Sequence, residues 1–352
     1  MNDWAMIAVA VIGIAAMIGS LAVLDSRMLP AASLRRSLGL SFAVASTGAA
    51  TWLLLEPLVL REATGDLYFP IAALAGLAAL LATISVRAGG AGPTAVLIFA
   101  VAWTALVVVP AAFLAFIGLP DFRPTDHGGS IVVNVAAGAA ALGVLVTMGK
   151  DAPRLRPPVL SLRAGVAAVV VLCLGWVAWL VGAELAIDSV TPSIVLNTLL
   201  GAFGGAIGWL VVQRVRHRRT TISAVAAGVV AGLVSITAGA SFYTPLFAGV
   251  AGLVAGALAS LFTLRRVEVS RRQQWYVVGS HLVAGGIGVV LLGVLATDTG
   301  YIYTGDTGIT FTGIFSFFER QVISTVVVAA YSALVSGLLW AIIRGVGAVR
   351  RG

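Results

Sequence analysis

Long apolar runs alternate with short polar segments along the whole chain. A helix that crosses the hydrocarbon core of a membrane needs about 20 mostly apolar residues. Eleven runs reach that length, and most of the polar residues lie between them. The pattern therefore predicts an all-α membrane protein with eleven transmembrane helices. The predicted helices begin near Ala5, Leu38, Leu67, Pro93, Gly128, Ala164, Pro192, Thr221, Thr244, Gln273 and Val322.

The basic residues orient these helices. Cytoplasmic loops of membrane proteins are enriched in Lys and Arg. If the N-terminus lies outside, every one of the 22 Lys and Arg residues falls on the inner side except Arg61, Arg123 and Arg320. An even number of helices would destroy this separation. The charges therefore predict that the N-terminus is outside and the C-terminus inside.

The composition agrees with a membrane protein. Hydrophobic residues make up 60% of the chain and charged residues 10%, whereas about a quarter of the residues in a soluble domain are charged. These values exclude a soluble enzyme, a disordered chain and a nucleic-acid-binding module. The net charge of +8 comes from the short loops, so it does not indicate a polyanion-binding surface.

Motifs for catalysis or for metal binding are missing from the sequence. There is one cysteine, Cys173, and the three histidines are His127, His217 and His281. These are too few and too scattered for a metal site. Gly149-Lys150 is followed by Asp151, so no phosphate-binding loop is formed. We therefore expect no enzymatic activity, no cofactor and no metal.

Two short segments indicate an internal repeat. Asn134-Val-Ala-Ala-Gly138 lies in the fifth predicted helix and His281-Leu-Val-Ala-Gly285 in the tenth. These helices cross the membrane in opposite directions, as two inverted halves require. The prediction is one membrane domain over residues 1–352, with halves at about 1–150 and 158–300 and a last helix at about 320–346. Chance similarity between Ala- and Gly-rich segments is the alternative.

Six segments carry a recognisable pattern of Gly, Trp, Asn and His. They read Asp126-His-Gly-Gly-Ser-Ile-Val-Val-Asn134, Gly175-Trp176-Val-Ala-Trp179, Asn197-Thr198, Gly208-Trp209, Ala231-Gly-Leu-Val-Ser-Ile-Thr237 and Gly279-Ser-His281-Leu-Val-Ala-Gly. In this order they resemble the motifs of the ammonium transporter family (Amt/Mep/Rh), with Ala238 where the family has a proline. The resemblance implies a homotrimer in the cell membrane, with one ammonium- or ammonia-conducting pore per chain, a cation site in an outer vestibule, a phenylalanine gate and two pore histidines.

The resemblance also places residues of this chain at the pore. The second pore histidine is His281, but Asn134 takes the position of the first. Of the two gate phenylalanines, one is replaced by Trp179 and the other by Ala75. Burial favours a neutral His281, and an Asn side chain cannot carry a proton at neutral pH. A relay between two histidines is therefore not available. A His281 that only bonds a neighbouring helix is the structural alternative.

Three further positions fall in the outer vestibule and one at a helix start. Phe116 takes the place of the vestibule tryptophan and is a weaker partner for a cation. Ala183 replaces the vestibule serine, and the adjacent Glu184 either attracts cations or is a solvated loop acid. Phe116 and Trp179 also suit an aromatic belt at the membrane surface. Asp126 is expected to cap a helix.

The predicted function is ammonium or ammonia transport through an apolar pore with one histidine. Moving a bare ion into a medium of low dielectric constant costs on the order of 20 kcal/mol, so a pore of this kind favours neutral ammonia. One alternative is a non-conducting ammonium sensor or scaffold, and another is a channel for a different small neutral solute. The tail after the last predicted helix is short, so we expect no regulation by a PII-type protein.

Overall fold

The computed structural model describes residues 3–25, 34–60, 64–119, 122–148, 161–218, 221–263, 271–296 and 311–347. These residues form eleven helical rods. Eight of them are α1 (Asp3–Asp25), α2 (Leu34–Val59), α3 (Tyr68–Ala88), α6 (Leu162–Ala183), α7 (Thr191–His217), α8 (Ile222–Ile236), α9 (Pro245–Thr263) and α11 (Phe311–Gly345).

The other three rods contain π turns. They are α4 (Pro93–Ile117), α5 (Ile131–Thr147) and α10, which runs from Arg272–Val277 through Val278–Val283 to Ala284–Leu295. The π turn of α5 is Ile131–Val135 and that of α10 is Val278–Val283. Such turns are rare in helices and are frequent at functional sites.

The prediction of an all-α membrane fold is confirmed. Within the described residues nine helices are long and apolar enough to cross a membrane, and α5 and α8 are shorter apolar helices. The number of crossings and the orientation stay predictions. Many of the charges behind the orientation lie outside the described residues, for example in 26–33, 149–160 and 264–270, as does the tail at 348–352.

The last helix differs from its predicted start. The sequence predicts a start near Val322, after the charged pair Glu319-Arg320, but α11 already begins at Phe311. The side chain of Gln321 explains why this part of the helix is held in the fold. It accepts a hydrogen bond from the Thr125 amide and donates one to the Thr125 carbonyl, both at 2.8 Å. The early turns of α11 thus anchor the loop that precedes α5.

Glycines allow the helices to pack closely. A Cβ atom on Gly13 of α1 would lie 2.6 Å from the Gly175 carbonyl oxygen of α6, and one on Gly175 would lie 2.7 Å from the Gly13 carbonyl oxygen. The row of glycines in α7 packs in the same way, with Gly204 against Gly249 of α9 and Gly205 against Gly228 of α8. Small residues let membrane helices approach in this manner.

Helices α5 and α10 lie side by side and run in opposite directions. Gly138 of α5 packs on Leu282 of α10, and Gly285 packs on Asn134, where an added Cβ would lie 3.1 Å from the Asn134 Cβ. At the far end the amide of Gln274 points at the Met148 sulfur, at 3.8 Å. This antiparallel contact brings the two π turns together inside the bundle.

Candidate functional site

The two π turns bring Asn134 and His281 into contact. The Oδ1 atom of Asn134 lies 3.2 Å from Nδ1 of His281. Both side chains are buried, with exposed fractions of 1% for Asn134 and 2% for His281. The structure therefore places the two predicted pore residues next to each other in the interior of the bundle, and neither side chain faces the lipid. We call them the pore pair.

The hydrogen bonds around the pore pair have a defined direction. An amide oxygen only accepts, so Nδ1 of His281 is the donor to Asn134. The Asn134 amide then donates to Ser130 Oγ at 3.3 Å, and the Ser130 hydroxyl donates to the Val234 carbonyl at 3.4 Å. A neutral His281 with its proton on Nδ1 therefore keeps a lone pair on Nε2, which has no hydrogen-bond partner among the described residues.

A loop before α5 holds the pore pair from one side. Asp126 accepts hydrogen bonds from the amides of Ser130 at 2.6 Å and Ile131 at 2.8 Å, the geometry of a helix cap. Burial raises the pKa of Asp126 to about 7, while the amides of Ile131, Ser130 and Gly129 lower it. Asp126 thus fixes the start of the helix that carries Asn134.

The same loop is tied to the end of α8. The His127 amide donates to the Ala238 carbonyl at 3.1 Å, and the Gly128 amide donates to the Thr237 carbonyl at 2.9 Å. The Trp176 indole donates to the Thr237 hydroxyl at 3.0 Å. These bonds satisfy buried backbone groups at the place where α8 ends and the loop leads into α5.

Trp179 packs on the same loop. It is 3% exposed, and its indole N–H donates to the Gly128 carbonyl at 3.2 Å. Phe116 is half-buried, and its ring tip would lie 3.2 Å from a Cβ atom added to Gly129. Gly129 has a φ of +73°, a conformation that favours glycine. Ala75 is fully buried in α3. The aromatic side chains thus lie over the loop that leads to the pore pair.

Glu184 has a partner that sequence reasoning missed. Ala183 and Glu184 are half-buried at the end of α6. The Glu184 carboxylate lies 3.5 Å from Nδ1 of His127, and Nε2 of His127 lies 2.8 Å from the Leu180 carbonyl oxygen. The one available signal was His127 itself, an ionisable side chain next to Asp126 in the motif before α5.

A pocket of about 260 Å³ is lined by the early turns of α8 and α10, the last turns of α7 and the end of α1. Its residues Tyr276 and Val230 precede His281 and Val234 by about one helical turn on α10 and α8. The Gln213 amide oxygen there is buried and has no hydrogen-bond partner in the part of the chain that the structure describes. We call this cavity the inner pocket. Its other lining residues are Leu24, Trp209, Thr221, Ser223, Ala224, Ala226 and Ala227.

Comparison with known proteins identifies relatives of this chain. The sequence model of the Ammonium Transporter Family matches residues 39–351. An ammonium transporter of Mycobacterium tuberculosis is 30% identical over 270 residues, which cover 70% of this chain and 56% of the relative. One from Bacillus subtilis is 28% identical over 209 residues, covering 58% and 52%. The chain thus spans only just over half the length of these relatives.

Solved structures share the fold. The crystal structure of Candida albicans Mep2 has a TM-score of 0.83 at 20% identity and covers 99% of this chain and 86% of that one. A protein described as a sensor Amt protein has a TM-score of 0.84 at 16% identity, covering 99% and 94%. At these identities the likeness establishes the arrangement of the helices.

Proposed function

Because the chain belongs to the ammonium transporter family, we propose that it conducts ammonium or ammonia across the cell membrane, in which it is a multi-pass protein. The observation that carries this proposal is the buried pair of Asn134 and His281. An ionisable side chain inside a membrane bundle indicates a function by default. The chain acts as a transporter and not as an enzyme.

The proposed route has three parts. An outer vestibule near Phe116, Ala183 and Glu184 receives the ammonium cation. The cation returns one proton to the external water, and the neutral ammonia then passes Trp179 and reaches the pore pair. It leaves through the inner pocket, whose residues Val230 and Tyr276 lie about one turn before Val234 and His281 on α8 and α10. Along this route the lining is charged and aromatic at the vestibule, and at the pore pair it consists of one imidazole and one amide.

The chemistry of the pore pair favours neutral ammonia. Burying an unpaired ion costs far more than burying a neutral molecule that finds a hydrogen-bond partner. Nε2 of His281 accepts a hydrogen bond from an N–H of ammonia and replaces part of its lost hydration. The Asn134 amide cannot take up a proton, so the pair gives no path for a proton from one side chain to the next.

Two features of the assembly belong to the proposal. The antiparallel contact of α5 with α10, in which Gly138 meets Leu282 and Gly285 meets Asn134, supports two inverted halves related by an axis near the pore pair. We also propose a homotrimer in which each chain has its own pore. Because each chain has its own pore, conduction needs no residue from a neighbouring chain.

Reconstitution tests the proposed function. Liposomes that contain the purified protein should take up ammonia, followed by an internal pH dye, several times faster than protein-free liposomes of the same lipid. Equal rates would overturn the proposal. Ammonium binding without flux would indicate a sensor or scaffold instead, and a selective gain in carbon dioxide permeability would indicate another solute.

A further inference from the structure

His127 and Glu184 meet at the outer end of α6. Glu184 follows Trp179 by five residues, and the Trp179 indole N–H donates to the carbonyl of Gly128, the neighbour of His127. The His127 side chain is 7% exposed and the Glu184 side chain is 24% exposed. One carboxylate oxygen of Glu184 faces His127 Nδ1. The other oxygen has no hydrogen-bond partner among the described residues, so it is available to a ligand.

The geometry fixes the position of one proton of the pair and leaves a site for a second. The Leu180 carbonyl only accepts, so Nε2 of His127 carries a proton at 2.8 Å from it. The space between His127 Nδ1 and the Glu184 carboxylate holds one further proton in the neutral state of the pair. When this proton leaves, the pair has a charge of −1. When another is added, the charge becomes +1.

The other charged groups nearby are engaged elsewhere. Asp126, on the same loop, is bound by the amides at the start of α5. Arg123 donates to the Phe116 carbonyl at 3.5 Å. The Thr237-Ala238 segment that packs on the loop presents backbone carbonyls to it. Asp188, beyond the end of α6, accepts from the Val190 amide. Among the residues that the structure describes, Glu184 is therefore the charged group in direct contact with His127.

We infer that Glu184 and His127 together form the outer cation site of this transporter, in which the free oxygen of Glu184 binds ammonium and His127 controls the charge of the site. The inference rests on the proposed function and adds His127 to it. Binding of the cation favours release of the shared proton to the external water. By linkage, a higher external pH favours binding of the cation.

The surroundings of His127 favour its neutral form, and with it a negative charge on the outer cation site. Burial lowers the pKa of His127, while the Leu180 carbonyl and the Glu184 carboxylate raise it. Burial is the larger influence, so His127 loses its second proton at a lower pH than a free histidine does. As the pH rises, the site becomes negative, and the KM for a cationic substrate should fall.

Uptake of radiolabelled methylammonium by proteoliposomes tests this inference. This substrate stays protonated from about pH 5.5 to about pH 8, the range in which a histidine titrates. For the parent protein we expect the KM to fall with rising external pH. Glu184→Gln should raise the KM by roughly fivefold at the upper end of the range, since it removes a nearby negative charge, and should abolish the pH dependence.

A second variant and a matched control separate charge from structure. His127→Phe leaves Glu184 ionised, so its KM should be low and independent of pH. Asp188→Asn removes an exposed acid at the same end of α6 without touching His127, and its KM profile should equal that of the parent. A Glu184→Gln protein that keeps the parent's pH dependence would overturn the inference and point to Asp126. A parent protein without uptake would instead overturn the proposed function.

Discussion

Replacing His281 with alanine is expected to lower the ammonia flux by roughly tenfold or more. The change removes the ring nitrogen that, in the proposed route, accepts a hydrogen bond from ammonia, and it leaves Asn134 Oδ1 without the donor that lies 3.2 Å away. A lost hydrogen bond in a buried site costs about 1–3 kcal/mol, and each 1.4 kcal/mol corresponds to a factor of about ten in rate. The measurement is stopped-flow uptake of ammonia by proteoliposomes of equal protein content.

His217→Ala is the matched control for this experiment. His217 is exposed at the end of α7, so its loss should leave the flux unchanged. If His281→Ala folds and conducts like the parent, then the imidazole does not line the route and the pore assignment is wrong.

Gly138→Ala is expected to have the second large effect. A methyl group at this position would overlap the Leu282 backbone of α10, which adjoins His281. Because backbone atoms cannot turn aside as a side chain does, α5 and α10 must separate. Overpacking costs about 1–3 kcal/mol in stability and occasionally more, and a clash with backbone atoms belongs at the upper end. We expect a lower midpoint of thermal unfolding in detergent and a loss of ammonia flux in the protein that still folds.

The control for the glycine variant is Gly39→Ala. Gly39 also lies inside a helix, but an added Cβ would have no atom within 4 Å. Alanine is the better helix former, so the unfolding midpoint should stay the same or rise. Equal midpoints for Gly138→Ala and the parent would show that α5 and α10 are not packed as described.

Much of the fold follows from hydrophobicity alone. Ten of the predicted helix starts lie within about four residues of the observed ones, because long apolar runs leave the chain few alternatives in a membrane. The start of α11 was wrong by eleven positions (322 against 311). Charged residues such as Glu319 and Arg320 suggest a helix end by composition, yet Gln321 holds this turn against the Thr125 backbone.

The π turns of α5 and α10 could not be predicted from the sequence. Nothing in the spacing of apolar residues distinguishes a π turn from an α turn when all the neighbours are small or β-branched. The motifs singled out Asn134 and His281 as predicted pore residues, and the structure brings them into contact. Their hydrogen-bond direction depends on Ser130 and the Val234 carbonyl, which only the folded chain brings together.

The contact between Glu184 and His127 could not be predicted from the sequence either. The sequence marked Glu184 by its position next to Ala183, but it gave no reason to pair it with His127, which belongs to a distant loop. The bond from the Trp179 indole to the Gly128 carbonyl was likewise hidden, because a backbone acceptor has no signature in the sequence. The residue types indicated the chemistry of the outer site. The contact between the loop before α5 and the end of α6, which the sequence does not show, determined that Glu184 meets His127.

The central claim is that a neutral molecule passes the pore pair. Ammonia flux and electrical current, measured on the same proteoliposome preparation of the parent protein, test it most directly. Because neither a neutral Asn134 nor its partner His281 passes a proton along the pair, we predict a clear flux with far less than one charge moved per molecule. A current equal to one charge for every molecule transported would contradict the claim.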